Sequence, residues 1–253
     1  MVSLPLRFYH GGMNARRMVL AGAVALLAWQ PARAAEPVVV ELFTSQSCYS
    51  CPPAEKLLGE LADRPSVIAL EYHVDYWNDL TYGAAGRWRD PFSARAYTDR
   101  QREYNLAIRQ RREVYTPQMV VDGRSETVGS GRAEIEKLLK TALNNRPGRI
   151  KIGFRQEPAG SLTISIDGPV APADVWLVRF DRQHVTEVRA GENNGKKLIN
   201  RNVVREMFRL GSWNSQTQEF AAAAVPDASQ GCAVLVQPVP LGPILAAAAC
   251  PEP

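Results

Sequence analysis

The chain has 253 residues and a formal net charge of +4, which is enough length for one large domain or two modest ones. Residues 1–34 contain four arginines and no acidic residue, so the net charge of the remaining chain is close to zero. This balance argues against a nucleic-acid partner, because nucleic-acid-binding proteins present a basic face that displaces counterions from phosphates.

The first residues have the pattern of an export signal. Arg16-Arg17 precedes an apolar run, Met18–Trp29, and Ala32-Arg33-Ala34 follows as a small-x-small cleavage site. These three parts are typical of a secretory signal peptide, and the apolar run is too short to span a bilayer comfortably. We therefore predict a signal peptide over residues 1–34 and a periplasmic or secreted protein with no stable membrane anchor. A retained N-terminal anchor is the alternative.

The segment that follows predicts a β-α-β unit. Val38–Phe43 is short and rich in β-branched residues, as in a buried strand. Pro52–Leu61 has apolar residues at helical spacing, with prolines where a first helical turn tolerates them. Val67–Val74 predicts a second strand. This order indicates two parallel strands joined by a right-handed crossover.

The rest of the first half predicts a helical insert, a β-hairpin and a closing helix. The insert covers residues 75–112 and contains a helix over 93–111. Its arginines are interpreted as a solvated helix face, and they are Arg100, Arg102, Arg109, Arg111 and Arg112. Asp122-Gly123 is a hairpin turn signal between short apolar runs. Residues 131–145 have helical periodicity.

After Pro147-Gly148 the pattern changes to short apolar runs at regular spacing, which is typical of an antiparallel sheet or sandwich. We therefore predict an α/β domain over residues 35–147 and a β-rich antiparallel domain over residues 148–253. Within the second domain, the glycine-rich segment Gly191–Lys197 is interpreted as a plain surface loop.

All four cysteines lie beyond the predicted cleavage site, and an even count in an oxidising compartment favours disulfides. Their positions suggest the pairs Cys48–Cys51 and Cys232–Cys250. The second pair flanks a Pro-Leu-Gly-Pro turn between apolar runs, and opposed positions on a hairpin bring Cβ atoms within disulfide reach. We interpret that pair as a structural staple, with a free thiol pair as the alternative.

Cys48-Tyr49-Ser50-Cys51 lies between the first predicted strand and helix, a context typical of a dithiol redox centre. A helix N-terminus favours the thiolate, which is the nucleophile in disulfide exchange. We expect Cys48 to be the exposed attacking thiol and Cys51 the buried resolving thiol. A structural disulfide and half of a metal site are the alternatives. Zinc would need a second pair or a histidine cluster, whereas His73 suggests a copper variant.

Three further features are candidates for the same site. In redox domains with this order of elements, a cis Thr116-Pro117 peptide would face the dithiol and pair with a bound peptide. An ordinary proline at the start of a strand is the alternative. Glu41, in the strand before the dithiol, could accept a proton beneath Cys51, or it could be a surface carboxylate. Asp75-Tyr76-Trp77 follows the second strand, where open α/β sheets place their sites, and could line a substrate groove or serve packing.

Several motifs resemble those of one family. They are Val40–Cys48, Cys51-Pro52-Pro53, Tyr72–Trp77, Asp90-Pro91-Phe92, Tyr115–Gly123, Gly191-Glu192-Asn193 with Gly195, and Asn202–Glu206. They are similar to segments of the secreted domain-of-unknown-function family numbered 1223, over most of the mature chain. That family is regarded as thioredoxin-like, so the resemblance implies a thioredoxin-like fold for the first domain and a cis proline. It brings no established substrate.

These features favour an exported thiol–disulfide oxidoreductase that exchanges disulfides through Cys48 and Cys51. Its expected partners are a protein or small thiol/disulfide substrate and a redox partner, and no cofactor or metal is expected. One alternative is a non-catalytic secreted binding module with a structural Cys48–Cys51 disulfide. Another is a periplasmic copper carrier using Cys48, Cys51 and His73. Tyr49-Ser50 adds no charge between the cysteines, so the direction of electron flow stays open.

Overall fold

The computed structural model describes residues 1–2, 36–145, 149–157, 161–169, 171–214, 216–223 and 227–252. The predicted signal peptide, apart from its first two residues, and the predicted boundary at residues 147–148 lie outside these ranges. The regular elements are, in chain order, β1 Val38–Thr44, α1 Pro52–Ala62, β2 Val67–His73, α2 Arg95–Tyr104, β3 Gln118–Val121, β4 Ser125–Val128, α3 Arg132–Asn144, β5 Lys151–Gln156, β6 Ser161–Asp167, β7 Ala173–Glu187, β8 Lys197–Trp213, β9 Thr217–Ala223, β10 Gln230–Pro238 and β11 Ala246–Ala249.

The β-α-β unit forms where the sequence predicts it. β1 and β2 are buried along their whole length, as expected of parallel strands covered on both faces, and they pair in parallel. Prolines occupy the first positions of α1, where the missing N–H costs no helical hydrogen bond. Leu57, Leu58 and Leu61 of α1 pack in one core cluster with Val40 and Leu42 of β1, so α1 covers one face of the sheet.

The strands form two sheets. The larger has eight strands in the order β11-β10-β7-β8-β2-β1-β3-β4, and the smaller has the order β5-β6-β9. The predicted hairpin is present as β3 and β4, joined by a three-residue loop, residues 122–124, and Asp122 and Gly123 in this loop both have positive φ, the left-handed region that aspartate and glycine tolerate best. The protein therefore has a mixed α/β fold dominated by one large sheet.

The helices lie on both faces of this sheet. The closing helix α3 shares a core cluster with α1 through Ile135 and Leu139, whereas Tyr97 and Tyr104 of α2 belong to the cluster on the other face. The predicted insert helix is α2 followed by one π-helical turn, Asn105–Arg109. Arg100 of α2 is only 8% exposed. The interpretation of all five arginines as solvated is therefore wrong for Arg100, because its guanidinium has a buried carboxylate partner.

The two segments predicted as domains share one sheet. β8 pairs in parallel with β2 through Glu71 and Val203, and the cluster around Tyr72 includes Phe180 and Leu235 from the second half of the chain. Residues 35–253 also group as one compact unit. The second half is β-rich and largely antiparallel, as predicted, but residues 35–147 and 148–253 are not separate bodies, because β8 extends the sheet of the first half.

None of the helices within the described residues is long and apolar enough to cross a membrane.

Candidate dithiol site

The Cys48–Cys51 disulfide predicted from the sequence is present at the junction of β1 and α1. The two Cα atoms are 5.4 Å apart. Cys51 occupies the N-cap position of α1, and the Cys51 N–H donates to the Cys48 carbonyl at 3.2 Å. The tight turn between the cysteines therefore places the disulfide at the positive end of the helix dipole.

Both cysteines of this disulfide are fully buried, with 0% of either residue exposed. Tyr49 between them is 66% exposed, so the turn itself reaches the surface. The expectation that Cys48 presents an exposed sulfur is wrong for this oxidised form. The reason is tertiary, since two loops from elsewhere in the chain bind the peptide segment that carries Cys48.

The first of these loops is residues 188–196, which joins β7 to β8 and which we call the hairpin tip. The Glu192 carboxylate accepts from the Tyr49 N–H at 2.8 Å. The Asn193 side-chain amide donates to the Cys48 carbonyl at 2.9 Å, and Asn193 is itself fully buried. The interpretation of this segment as a plain surface loop is therefore wrong, because its side chains bind the turn between the cysteines.

The second loop follows β2 and approaches the residues before Cys48. The Ser47 hydroxyl donates to the Trp88 carbonyl at 3.1 Å, and the Trp88 indole N–H donates to the Gln46 side chain at 3.2 Å. The two loops also meet, since the Gly191 N–H donates to the Ala85 carbonyl at 2.9 Å. The disulfide is thus enclosed by segments from both halves of the chain.

A buried carboxyl group lies one helical turn from Cys51. Glu55 is 2% exposed, its N–H donates to the Cys51 carbonyl at 3.1 Å, and its carboxyl accepts from the Thr44 hydroxyl at 2.8 Å. Burial, and secondarily the neighbouring Glu71 carboxylate, raise the pKa of Glu55 to about 8. Glu55 is therefore protonated at neutral pH.

His73 lies in the same polar layer, between two carboxylates. Its ring nitrogens are 2.7 Å from Asp90 and 2.9 Å from Glu71. Burial opposes the charged ring, but Asp90 and Glu71 outweigh it and raise the pKa of His73 well above its ordinary value. Burial alone would raise the pKa of Asp90, but the charge and hydrogen bond of His73 outweigh burial, so the pKa of Asp90 lies below its ordinary value. The charged His73 ring therefore bridges the Asp90 and Glu71 carboxylates.

The copper interpretation finds no support in this arrangement. Both ring nitrogens of His73 are engaged by carboxylates, which leaves neither as a free lone pair for a metal. No group of three or more His, Cys, Asp or Glu side chains arranged to hold a metal is present in the part of the chain that the structure describes.

Glu41 does not lie beneath Cys51. Side chains alternate along a strand, and α1 packs on the face that carries Val40 and Leu42. Glu41 points to the other face, where its carboxylate accepts from Arg100 at 2.7 Å and also from the Tyr104 hydroxyl. Its carboxylate is therefore part of a buried ion pair with α2, away from the helix that begins at Cys51.

The Thr116-Pro117 peptide bond is cis, and it lies near the start of α1. A Cβ built at Gly129 would come within 3.0 Å of the Ala54 Cβ and 3.3 Å of the Pro117 Cβ. Glycine at position 129 thus lets Pro117 approach the helix turn that follows Cys51. The predicted cis bond is present, while the predictions that it faces the dithiol and pairs with a substrate stay predictions.

The residues after β2 contact the same loop. The Trp77 indole N–H donates to the Thr116 hydroxyl at 2.9 Å, and Tyr76 donates to Gln101 at 3.4 Å. The Asp75 carboxylate accepts from the Thr98 hydroxyl at 2.6 Å. Asp75, Tyr76 and Trp77 are each half-buried; Trp77 contacts Thr116 whereas Asp75 contacts α2, and their contact with a substrate stays a prediction.

The second predicted disulfide, Cys232–Cys250, is also present. It closes the β10–β11 hairpin one residue beyond the pair Ala233↔Ala249, and the Cys250 N–H donates to the Cys232 carbonyl at 2.8 Å. This is the hairpin geometry that the sequence predicts for the staple.

The chain was compared with protein families, with solved structures and with curated proteins. A family described as "Protein of unknown function (DUF1223)" matches residues 39–237. The chain belongs to the DUF1223 family. A crystal structure of an Agrobacterium tumefaciens protein from a structural genomics programme is 30% identical, with a TM-score of 0.70, and the match covers 86% of this chain and 95% of that one. Comparison with curated proteins found no match.

A more distant structure adds no argument to the DUF1223 assignment. A domain of the outer membrane lipoprotein Omp28 from Porphyromonas gingivalis is 10% identical with a TM-score of 0.21, over 43% of this chain and 92% of that one. The resemblance noted from the sequence motifs is confirmed by the family match alone.

Sequence reasoning missed three side chains of the candidate site, which are Glu55, Glu192 and Asn193. In the sequence, Glu55 resembles an ordinary polar residue of an amphipathic helix. Its burial at the first turn of α1 is visible only in the structure. Glu192 and Asn193 do belong to a motif that carries the family resemblance. That motif marks the loop as a feature shared with the family, but it does not indicate which part of the chain the loop contacts.

Proposed function

We propose that this protein is an exported thiol–disulfide oxidoreductase that acts in the periplasm or outside the cell through Cys48 and Cys51. The observation that carries the proposal is the disulfide-bonded C-x-x-C turn with Cys51 at the N-cap of α1. A helix N-terminus stabilises a thiolate at this position, which makes the dithiol form accessible.

A thioredoxin-like fold for the first half is part of the proposal. It is supported by the parallel β1-α1-β2 unit, by the strand order β2-β1-β3-β4 with β3 antiparallel to β1, and by helices on both faces of that sheet. The Thr116-Pro117 loop between α2 and β3 would then pair with the substrate, with Trp77 holding the Thr116 side chain.

The reaction is a pair of thiolate displacements. A substrate thiolate attacks the Cys48 sulfur, the Cys48–Cys51 bond breaks, and its electron pair leaves with the Cys51 sulfur. A second thiolate of the same substrate attacks the substrate sulfur of the mixed disulfide and releases Cys48. The substrate dithiol is oxidised to a disulfide while Cys48 and Cys51 are reduced, and the reverse sequence reduces a substrate disulfide. A separate thiol or disulfide redox partner restores the starting form.

In this proposal Glu55, rather than Glu41, is the carboxyl group that influences this step. Because Glu55 is protonated at neutral pH, it adds no negative charge one turn from Cys51 when the Cys51 thiolate forms. An ionised carboxylate in the same place would oppose that thiolate through like-charge repulsion.

The test is exchange with a model protein disulfide in the presence of a thiol reductant. Wild-type protein should catalyse the exchange, and Cys48→Ser should lose it. Cys51→Ser should instead accumulate a mixed disulfide at Cys48 that is visible by mass spectrometry. The double variant Cys232→Ser/Cys250→Ser serves as the matched control and should retain activity. Absence of exchange by the wild-type protein would refute the proposal.

One observation favours a second candidate, a non-catalytic secreted binding module with a structural disulfide. Both cysteines are fully buried, as in a disulfide that serves stability. A reduction potential below about −300 mV, with no mixed disulfide at Cys48, would favour this candidate.

A further inference from the structure

We propose that Glu192 and Asn193 clamp the Cys48–Tyr49 peptide group and close the disulfide to thiol partners until the hairpin tip releases it. The proposal rests on the proposed function, because it assigns to these two residues the control of access to that site.

Both polar ends of one peptide group are bound by adjacent side chains. The Tyr49 N–H donates to Glu192 at 2.8 Å, and the Cys48 carbonyl accepts from Asn193 at 2.9 Å. The same Asn193 amide also donates to the Gln46 carbonyl at 2.9 Å, so it spans the chain on both sides of Ser47. These contacts fix the turn that carries the Cys48 sulfur.

The burial along the hairpin tip is selective. Asn193 is fully buried, whereas Glu192 and Asn194 on either side of it are exposed. A buried amide is stable only when its donors and acceptor are satisfied, and the Asn193 oxygen accepts from the Lys196 ammonium at 2.8 Å. The Lys196 nitrogen also lies 4.3 Å from the centre of the Tyr49 ring. Asn193 is thus inserted into the site rather than lying over it.

The hairpin tip can leave without disrupting the sheet. Its contacts with the Cys48–Tyr49 turn are made by side chains, whereas the β7–β8 ladder ends at Glu187↔Lys197. Gly191 and Gly195 have φ of 73° and 80°, in the left-handed region that glycine adopts most readily. The tip is therefore a turn outside the β7–β8 ladder, held by its side-chain contacts with the Cys48–Tyr49 turn and by the Gly191 N–H bond to the Ala85 carbonyl.

Closure affects the chemistry in two ways. A thiolate must reach the Cys48 sulfur, which has no exposed surface while the tip is bound. The Glu192 carboxylate also places a negative charge beside Tyr49, which disfavours an anionic nucleophile that approaches over this turn. A productive partner must displace the tip before exchange begins.

The experiment measures reduction of each disulfide by dithiothreitol in the full chain, by alkylation of freed thiols and peptide mass spectrometry. Asn193→Asp keeps the side-chain shape but replaces the donor with a carboxylate that faces two carbonyls. Asn194→Asp adds the same charge to the neighbouring exposed position and is the matched control. We expect Cys48–Cys51 to be reduced at least about tenfold faster in the first variant than in the second, because two hydrogen bonds are lost. Cys232–Cys250 should react at the same rate in both.

Equal rates at Cys48–Cys51 in the two variants would overturn the clamp. If Asn193→Asp exposes both disulfides by unfolding, Glu192→Ala decides, because Glu192 is exposed and its removal leaves the buried amide in place. Selective acceleration at Cys48–Cys51 in that variant supports the clamp, and no acceleration overturns it. Reduction by dithiothreitol does not require catalysis, so the clamp can stand if the exchange assay fails, and the reverse also holds.

Discussion

The environment of Glu55 differs sharply from what its position in the sequence indicates. It is one of several charged positions on α1, yet it is buried above Thr44 and close to the charges of Glu71 and His73. Its pKa of about 8, raised from an ordinary value of 4.5, means that the folded protein holds a proton that the unfolded chain releases. Between these two pH values the folded state binds more protons, so its stability falls as pH rises.

Glu55→Gln should remove this pH dependence. The amide cannot ionise, and its oxygen can still accept from the Thr44 hydroxyl. Relative to wild type, the variant should gain stability as pH rises from 5 to 8, by at most about 1.4 kcal/mol per pH unit. Urea denaturation at both pH values measures the difference. Glu60→Gln on the exposed side of α1 is the control and should show no such trend; a constant difference for Glu55→Gln would contradict the prediction.

At the scale of a single element, helix α2 shows packing that its polar sequence does not indicate. Its sequence is mostly polar, and periodicity alone assigns its arginines to solvent. In the structure the Arg100 guanidinium donates to Glu41 of β1 at 2.7 Å and to Gln237 of β10 at 3.0 Å. One guanidinium therefore ties α2 to strands from both halves of the chain, through an ion pair with Glu41 and a hydrogen bond to Gln237. Such buried pairs contribute little net stability when intact but are costly to break from one side.

Arg100→Met should destabilise the protein by about 3–5 kcal/mol, because it leaves the Glu41 carboxylate buried without its cationic partner. Chemical denaturation measures the loss. Arg95→Met on the exposed face of the same helix should change stability by no more than about 0.5 kcal/mol. The double variant Glu41→Gln/Arg100→Met should recover part of the loss. Equal effects of Arg100→Met and Arg95→Met would contradict the assignment.

At the scale of the whole molecule, the two predicted domains form one compact unit with a shared sheet. β8 pairs with β2, and the Asn200 side chain donates to the Glu71 carboxylate at 2.6 Å. The core cluster around Tyr72 takes members from both halves. Without these contacts, the first half would expose the unpaired edge of β2. The Glu71 carboxylate would also lose the hydrogen bond from Asn200.

A shortened chain of residues 36–145 should therefore not fold cooperatively. We expect it to lack a sharp urea transition and a near-ultraviolet circular dichroism signal, whereas residues 36–253 should show both. The physical reason is that the half-chain loses the apolar area which Phe180 and Leu235 bury in the shared core. A cooperative transition of the short chain would instead support two independent domains.

Much of the fold follows from local signals. The β-α-β unit, the Asp122-Gly123 hairpin, the closing helix and the β-rich second half are all recognisable in the sequence, because period, turn residues and proline positions act over a few residues. The predictions of both disulfides are confirmed for a similar reason, since each pair is close in the chain, 3 and 18 positions apart, and is brought together by one turn or one hairpin. The position of the dithiol at the start of α1 belongs to the same class of local information.

The remaining features depend on contacts between residues far apart in the chain. The Cys48 carbonyl is bound by Asn193, 145 positions away, and the pKa of Glu55 is raised first by its burial in the fold and second by the Glu71 carboxylate. The face of the sheet to which Glu41 points follows from the packing of α1 and α2 on opposite faces. The sequence by itself determined the dithiol and its place at a strand–helix junction. Only the tertiary structure decided that this dithiol is enclosed, because solvent exposure and electrostatic environment depend on which distant segments pack against a residue.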